Sequence, residues 1–251
     1  MVKDLLEEKY RKYNTPEFIT GDPISVPHLY SRKENIEIAG ILTALLAWGQ
    51  RNTIIRNARR LLQLMDNDPC SFILHAEDTD LELFDKFVHR TFNGIDARYC
   101  VTALQNIYRS RNGLHAVFRE GFTKNHDMKD ALEYFRTRFF ELPHPSRTEK
   151  HIADVTRGAA AKRLNMFLRW MVRKDDGGVD FGLWDDIPAS ALYIPLDMHT
   201  GRMARALGLL KRKQDDWKAV GELTDVLKKM DPDDPVKYDF ALFGMGIYEE
   251  L

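Results

Sequence analysis

The sequence predicts an all-α protein. Apolar residues recur at i, i+3 and i+4 through most of the chain, period-two alternation is scarce, and Gly, Pro and Asn fall between the helical stretches. Low-complexity tracts and internal repeats are absent, so the helices are expected to pack as layers of one another rather than as a solenoid.

Taken in order, residues 2 to 13 form an amphipathic helix with Leu5, Leu6 and Tyr10 inward, followed by a connection from Thr15 to His28 broken by Pro and Gly. Glu34 to Trp48 is nearly apolar throughout, which predicts a central buried helix ending at Gly49. Asn52 to Met65 is a basic amphipathic helix, and Asp68-Pro69 places a capping carboxylate and a first-turn proline at the head of another. Further helices are expected over Leu81 to Phe92, Asp96 to Arg109, Leu114 to Phe122 and Met128 to Leu142, separated by Asn93-Gly94, Asn112-Gly113 and Thr123 to His126. Pro143-His144-Pro145-Ser146 is the clearest punctuation and a candidate lobe junction within a single globular unit spanning 1–251. Beyond it come a helix carrying Leu164, Phe167, Leu168 and Met171 as its inner stripe, an acidic segment from Asp175 to Pro188, and helices over Asp215 to Met230 and Pro235 to Glu249.

At 251 residues the chain can build one large domain or two helical lobes flanking a cleft. Its 44% hydrophobic and 30% charged residues describe an ordinary globular protein, and no run approaches the ~20 apolar residues that span a bilayer. The acidic start, Met1 to Lys12, lacks a signal-peptide core, so the expected setting is cytoplasmic, without membrane contact and as a monomer. Cys70 and Cys100 are too few for a four-thiolate centre, so neither an iron-sulfur cluster nor another metal site is expected. A net charge of -1 gives no global attraction to nucleic acid. Basic residues nevertheless cluster at Arg51 to Arg60, Arg157 to Lys174 and Arg202 to Lys213, while acids gather at Glu77 to Asp85, Asp175 to Asp186 and Asp231 to Asp239.

Two stretches carry candidate chemistry. Thr156-Arg157-Gly158-Ala159-Ala160-Ala161-Lys162 is a small-residue helix start that places Lys162 near the helix entrance, off the apolar stripe. Pro195-Leu196-Asp197-Met198-His199-Thr200-Gly201-Arg202 follows the apolar run from Leu192 and sets Asp197 where an N-cap is expected, with Met203, Leu207 and Leu210 facing inward. An amine and a carboxylate thus each stand at the head of a helix. Taken singly, Lys162 reads as a solvated lysine, Asp197 as a plain cap and His199 as a satisfied helix histidine; their joint arrangement points further.

Together these residues resemble the helix-hairpin-helix DNA glycosylases of the endonuclease III and oxidised-guanine type. Lys162 matches that family's catalytic lysine and Asp197 its catalytic aspartate, in the company of His199, Arg202 and Leu207-Gly208-Leu209. Ile41 to Gln50 looks like the family's long apolar helix ending in a glutamine, and the ending Asp231 to Gly244 is similar to that of a bacterial branch of the superfamily. The resemblance implies an all-α fold of two helical lobes flanking a cleft, duplex DNA carrying a damaged base or abasic site as partner, and oxidised purine as the first substrate. It further implies DNA contacts from Gln50, Trp48, Arg51, Arg157, amides near Gly158, His199 and Arg202, with Trp170 or Trp184 as further stacking candidates. The amine must be uncharged to attack a sugar carbon, and the field of its helix start and neighbouring arginines favours that form. Two features depart from the family: Gly158 is followed by Ala159-Ala160 where a second glycine is usual, and the interval from Lys162 to Asp197 is long, so that Asp175 to Pro188 is expected to loop out.

Two other readings compete. His126-Asp127, with His75, His89, His115 and His144, suggests a metal-dependent phosphohydrolase, although Asp127 also suits a helix cap. The other is a non-catalytic DNA- or protein-binding module of the same fold.

Overall fold

A computed structural model describes residues 1–249, which fall into two compact units, one formed by Met1–Thr20 with Asp154–Leu251 and the other by Gly21–Ala153. The structure is predominantly helical, and the one sheet among the described residues is a two-stranded ribbon. No helix among them is long and apolar enough to cross a membrane.

The terminal unit contains α1 (Val2–Tyr13) and the short α2 (Pro16–Thr20). The central unit follows with α3 (Lys33–Leu46), α4 (Arg51–Gln63), α5 (Pro69–His75), α6 (Gly94–Ser110), α7 (Gly113–Thr123) and α8 (Met128–Phe139). The chain then returns to the terminal unit for α9 (Lys162–Val172), α10 (Met198–Ala206), α11 (Trp217–Met230) and α12 (Tyr238–Tyr248).

In the central unit α3 is buried on nearly every face, as its composition requires, and its one deep charge, Glu37, accepts a hydrogen bond from Tyr108 Oη at 2.8 Å. The helix stops at Leu46, and Gly49 (φ +108°) lies in the following turn rather than at the cap. Asp68 caps α5 through the Ser71 amide and Asp127 caps α8 through the Lys129 amide, which is the use the sequence allows for the His126-Asp127 pair. The helix expected over Leu81 to Phe92 does not form. A 3₁₀ turn, Asp80–Phe84, leads into the ribbon β1 (Val88–His89) and β2 (Phe92–Asn93), with Val88 opposite Asn93 and Arg90 at φ +57° in the turn. Leu81, Phe84, Phe87 and Phe92 are all buried, and their spacing imitates a helical stripe.

The head of α6 is locked by a capping box in which Asn93 and Asp96 exchange backbone hydrogen bonds. Asp96 also receives Thr148 Oγ1 at 2.8 Å and Arg147 at 2.9 Å, while Arg136 donates to the carbonyls of Glu149 and Ile152. These bonds hold residues beyond the Pro143-to-Ser146 punctuation on this unit, so the division falls at Ala153–Asp154.

In the terminal unit, Leu6 of α1 joins Leu196, Met203, Leu210, Val220, Leu223, Tyr238, Leu242 and Met245 in one hydrophobic core. α1 and α12 approach closely because Gly244 has no side chain; a Cβ there would lie 2.2 Å from the Tyr13 ring. The acidic segment does not loop out. Phe181 and Leu183 donate their amides to the Trp170 and Met171 carbonyls at 2.8 and 2.7 Å, satisfying the exposed end of α9. Asp180 is buried against Arg169 and Arg173, and Trp184 is fully buried with its edge toward Phe167 at 5.5 Å.

Candidate functional site

Lys162 is the first residue of α9, and a tight turn delivers it there. Asp154 accepts the Thr156 amide and hydroxyl, Gly158 (φ +86°) donates to the Val155 carbonyl at 3.1 Å, and Ala159 donates to the Asp154 carbonyl at 3.1 Å. The Gly158 carbonyl in turn accepts the Trp217 amide at 2.9 Å, tying the turn to the head of α11. Ala160 stays outside the left-handed region; Ala161 takes it instead (φ +50°) at a cost of about 1 kcal/mol or more, and its carbonyl starts the helix. The missing second glycine therefore does not prevent the turn, since the strained residue is one position later. The Gly158 and Ala159 amides, however, close the turn itself and are not the phosphate donors implied by the family likeness.

Asp197 caps α10. Its Oδ1 accepts the amides of His199 at 2.9 Å and Thr200 at 3.0 Å, while Oδ2 faces Lys162 Nζ at 3.7 Å. One oxygen fixes the carboxylate and the other is left for the amine. The separation is ionic and longer than a good hydrogen bond. Both side chains remain partly open, 26% exposed for Lys162 and 21% for Asp197, so a reactant can reach them. Met166, one turn along α9, lies under the amine with Sδ at 3.5 Å.

Behind the pair is a buried ionic network. Arg169, two turns after Lys162, bonds Asp180 at 3.2 Å and also Asp239, while Arg173 bonds Asp180 at 3.1 Å, Asp234 at 2.8 Å and Asp175. The Phe240 ring covers the Arg169 guanidinium at 4.2 Å. Thr200 Oγ1 donates to Asp239 Oδ1 at 3.5 Å. Burial pushes the Asp239 carboxyl up to about 6, opposed by Arg169 and Lys162 and reinforced by Asp197 and Asp180. Burial likewise raises Asp234 despite its bond to Arg173.

The other expected contacts fall differently. His199 Nδ1 and Arg202 Nη2 both meet the Gly246 carbonyl, at 3.3 and 2.8 Å, so these side chains dock α10 on α12. Trp170 and Trp184 are fully buried core residues and cannot stack on a base. Of the basic residues on and just after α9, Arg169 and Arg173 are consumed by the ionic network, whereas Arg157 on the preceding turn is 84% exposed. In the third basic cluster, Arg205 pairs with Asp215 and Arg212 with Asp216.

Within the central unit, Gln50 is exposed at the N-cap of α4, with no side-chain cap bond. Arg51 opens that helix, and Arg56, Arg59 and Arg60 form its exposed basic face. Trp48 is half-buried, with the Arg90 guanidinium over its ring at 4.8 Å and His89 at its edge. Cys70 and Cys100 are buried and not joined in a disulfide, and no group of three or more His, Cys, Asp or Glu side chains among the described residues is placed to hold a metal.

Asp239, Arg169 and Thr200 also belong to the site and are not singled out by the sequence motifs. Their signals were present: Asp239 lies in an acidic stretch but is flanked by Tyr238 and Phe240, and Arg169 follows Lys162 at i+7, the spacing that returns to the same helix face.

Fold and site together define an all-α protein with an amine and a carboxylate meeting at the heads of two helices. Residues 22–248 match the model of a family described as a protein of unknown function, DUF2400, and the chain belongs to that family. Neither the curated proteins nor the solved structures contain a match to it.

Proposed function

We propose that the protein is a base-excision DNA glycosylase with associated lyase activity, of the helix-hairpin-helix type, acting on duplex DNA with an oxidised purine or an abasic site. The observation that carries this reading is the 3.7 Å approach of Lys162 Nζ to Asp197 Oδ2 across an interval of sequence that gives no local reason for them to meet. In its uncharged form the Lys162 amine attacks C1′ of an extruded nucleotide, and the C1′–N bond breaks with its electron pair leaving on the base. Asp197 stabilises the positive charge that builds on the sugar and takes the proton released by the amine. Asp197 returns that proton to O4′ as the sugar ring opens, giving an iminium between Lys162 and C1′, and then takes a proton from C2′ as the 3′ phosphate leaves. Within the terminal unit the exposed Arg157 supplies a phosphate contact, and in the central unit, taken by itself, the exposed basic face of α4 is a phosphate-binding surface with the Gln50 amide, unused in capping, at its head.

Borohydride trapping tests the reading on duplexes containing an abasic site or an oxidised purine. A covalent protein–DNA adduct that Lys162→Gln abolishes is the expected result. Salt-sensitive association without any adduct would replace the enzyme with a binding module of the same fold.

A further inference from the structure

Asp239, the second residue of α12, is buried and stands directly behind the amine–carboxylate pair. Its two oxygens are divided: Arg169 of α9 bonds Oδ2, and Thr200 of α10 reaches Oδ1 at 3.5 Å. Thr200, itself fully buried, gives its amide to Asp197 Oδ1 at 3.0 Å. A single threonine therefore bridges the carboxylate that faces Lys162 and the one behind it. Facing Asp239 are Arg169 and Lys162 from α9, Asp180 from the segment after α9, and Asp197 at the head of α10.

Resting on the reading of Lys162 and Asp197 as the reacting pair, we propose that Asp239 is a positioning residue of this site, orienting Asp197 through Thr200 and adding a second negative charge to the field that Asp197 sets against the positive charge building on the sugar. Purely structural ion pairing does not demand this arrangement. Arg169 already has Asp180, shared with Arg173, as a buried partner; with Asp239, Asp234, Asp175 and the nearby Asp197 the network holds five carboxylates against two guanidiniums and the Lys162 amine. Uncompensated negative charge of this kind costs free energy inside a protein. It is retained where it shapes the field at a reactive group.

The charge of Asp239 is therefore expected to be felt at Lys162, and this can be read without DNA. Lysines are labelled by reductive ¹³C-methylation, and the Lys162 signal is assigned by its loss in Lys162→Gln. In the wild-type protein that signal should step near pH 6, where Asp239 ionises, and the step should vanish in Asp239→Asn. A step that survives in Asp239→Asn, or a wild-type signal flat between pH 4 and 8, overturns the proposal. Thr200→Val keeps the charge and removes the bridge: the step should remain while the trapping rate falls on the order of ten-fold. An unchanged rate there also overturns it, even if Asp239→Asn fails to fold. A wild-type protein that shows the step but forms no adduct on any duplex would remove the glycosylase reading and leave the coupling of Asp239 to Lys162 standing.

Discussion

Asp96 and Asp239 are both carboxylates in the first turn of a helix, both buried, one in each unit, and they are used in opposite ways. Around Asp96 every partner belongs to the fold: the Asn93 amide at 3.0 Å, Thr148 at 2.8 Å, Arg147 at 2.9 Å and His151 at 3.3 Å. Each oxygen has a short donor, Thr148 on Oδ1 and the Asn93 amide with Arg147 on Oδ2, and the Lys162–Asp197 pair is not among these partners. Asp239 has one close cation, one long hydroxyl contact, and further carboxylates nearby, and it looks onto Lys162 and Asp197. A buried carboxylate surrounded by donors locks a joint; one left short of them retains a charge that its neighbours can feel.

That contrast can be broken or sharpened by substitution. The largest effect is expected on the reacting pair: Lys162→Gln should remove the trapped adduct, and Asp197→Asn should slow its formation by roughly 10²–10³-fold, with both variants folded. Next is Asp96→Ala, which strands Arg147 and Thr148 and should cost about 3–5 kcal/mol, lowering the melting temperature by roughly 10 °C. Trapping measured below that temperature should be unchanged, which separates the locking carboxylate from the site.

Asp239→Asn is expected to act through pH. Burial holds the folded-state value at about 6, above the ordinary 3.8, so Asp239 contributes its stability in full below about pH 4 and loses it as pH rises through 6. The difference in stability between wild type and Asp239→Asn should move by roughly 2–3 kcal/mol toward the variant between pH 4 and pH 7 in paired denaturant titrations. A difference independent of pH would place Asp239 with Asp96 as a purely structural group. The smallest effects concern DNA contacts. Arg202→Ala should cost about 1–2 kcal/mol of stability, because its bond to Gly246 is lost, and should leave the salt dependence of DNA binding unaltered. Removing Arg56 or Arg59 should lower the salt slope by about one each.

Most helices were legible because their signals are local: the capping aspartates at positions 68, 127 and 197, the Asn-Gly breaks, and the apolar stripes all act within a few residues. The failure at Leu81 to Phe92 has the same origin, since four buried aromatic and aliphatic residues satisfy a helical period while the chain follows a turn and a ribbon. Lys162 and Asp197 stood out by their place at two helix heads. What escaped were consequences of packing. The carbonyls that α9 leaves unsatisfied and the arginines at 169 and 173 draw Asp175, Asp180 and the backbone at Phe181 and Leu183 inward, so part of a segment that reads as a solvated acidic loop becomes the counter-charge of the core, while Asp176, Asp185 and Asp186 stay exposed. Whether His199 and Arg202 point outward or onto α12 depends on a carbonyl 44 residues beyond Arg202 in the chain, which no local pattern encodes.

The proposed lyase chemistry requires that the amine of Lys162 bond covalently to a deoxyribose carbon. Mass-spectrometric mapping of the borohydride-reduced adduct, after digestion of protein and DNA, tests it most directly. The sugar remnant is expected on the peptide containing Lys162 and on no other lysine; a remnant on another lysine, or a wild-type protein that binds the duplex and carries none, would contradict this chemistry.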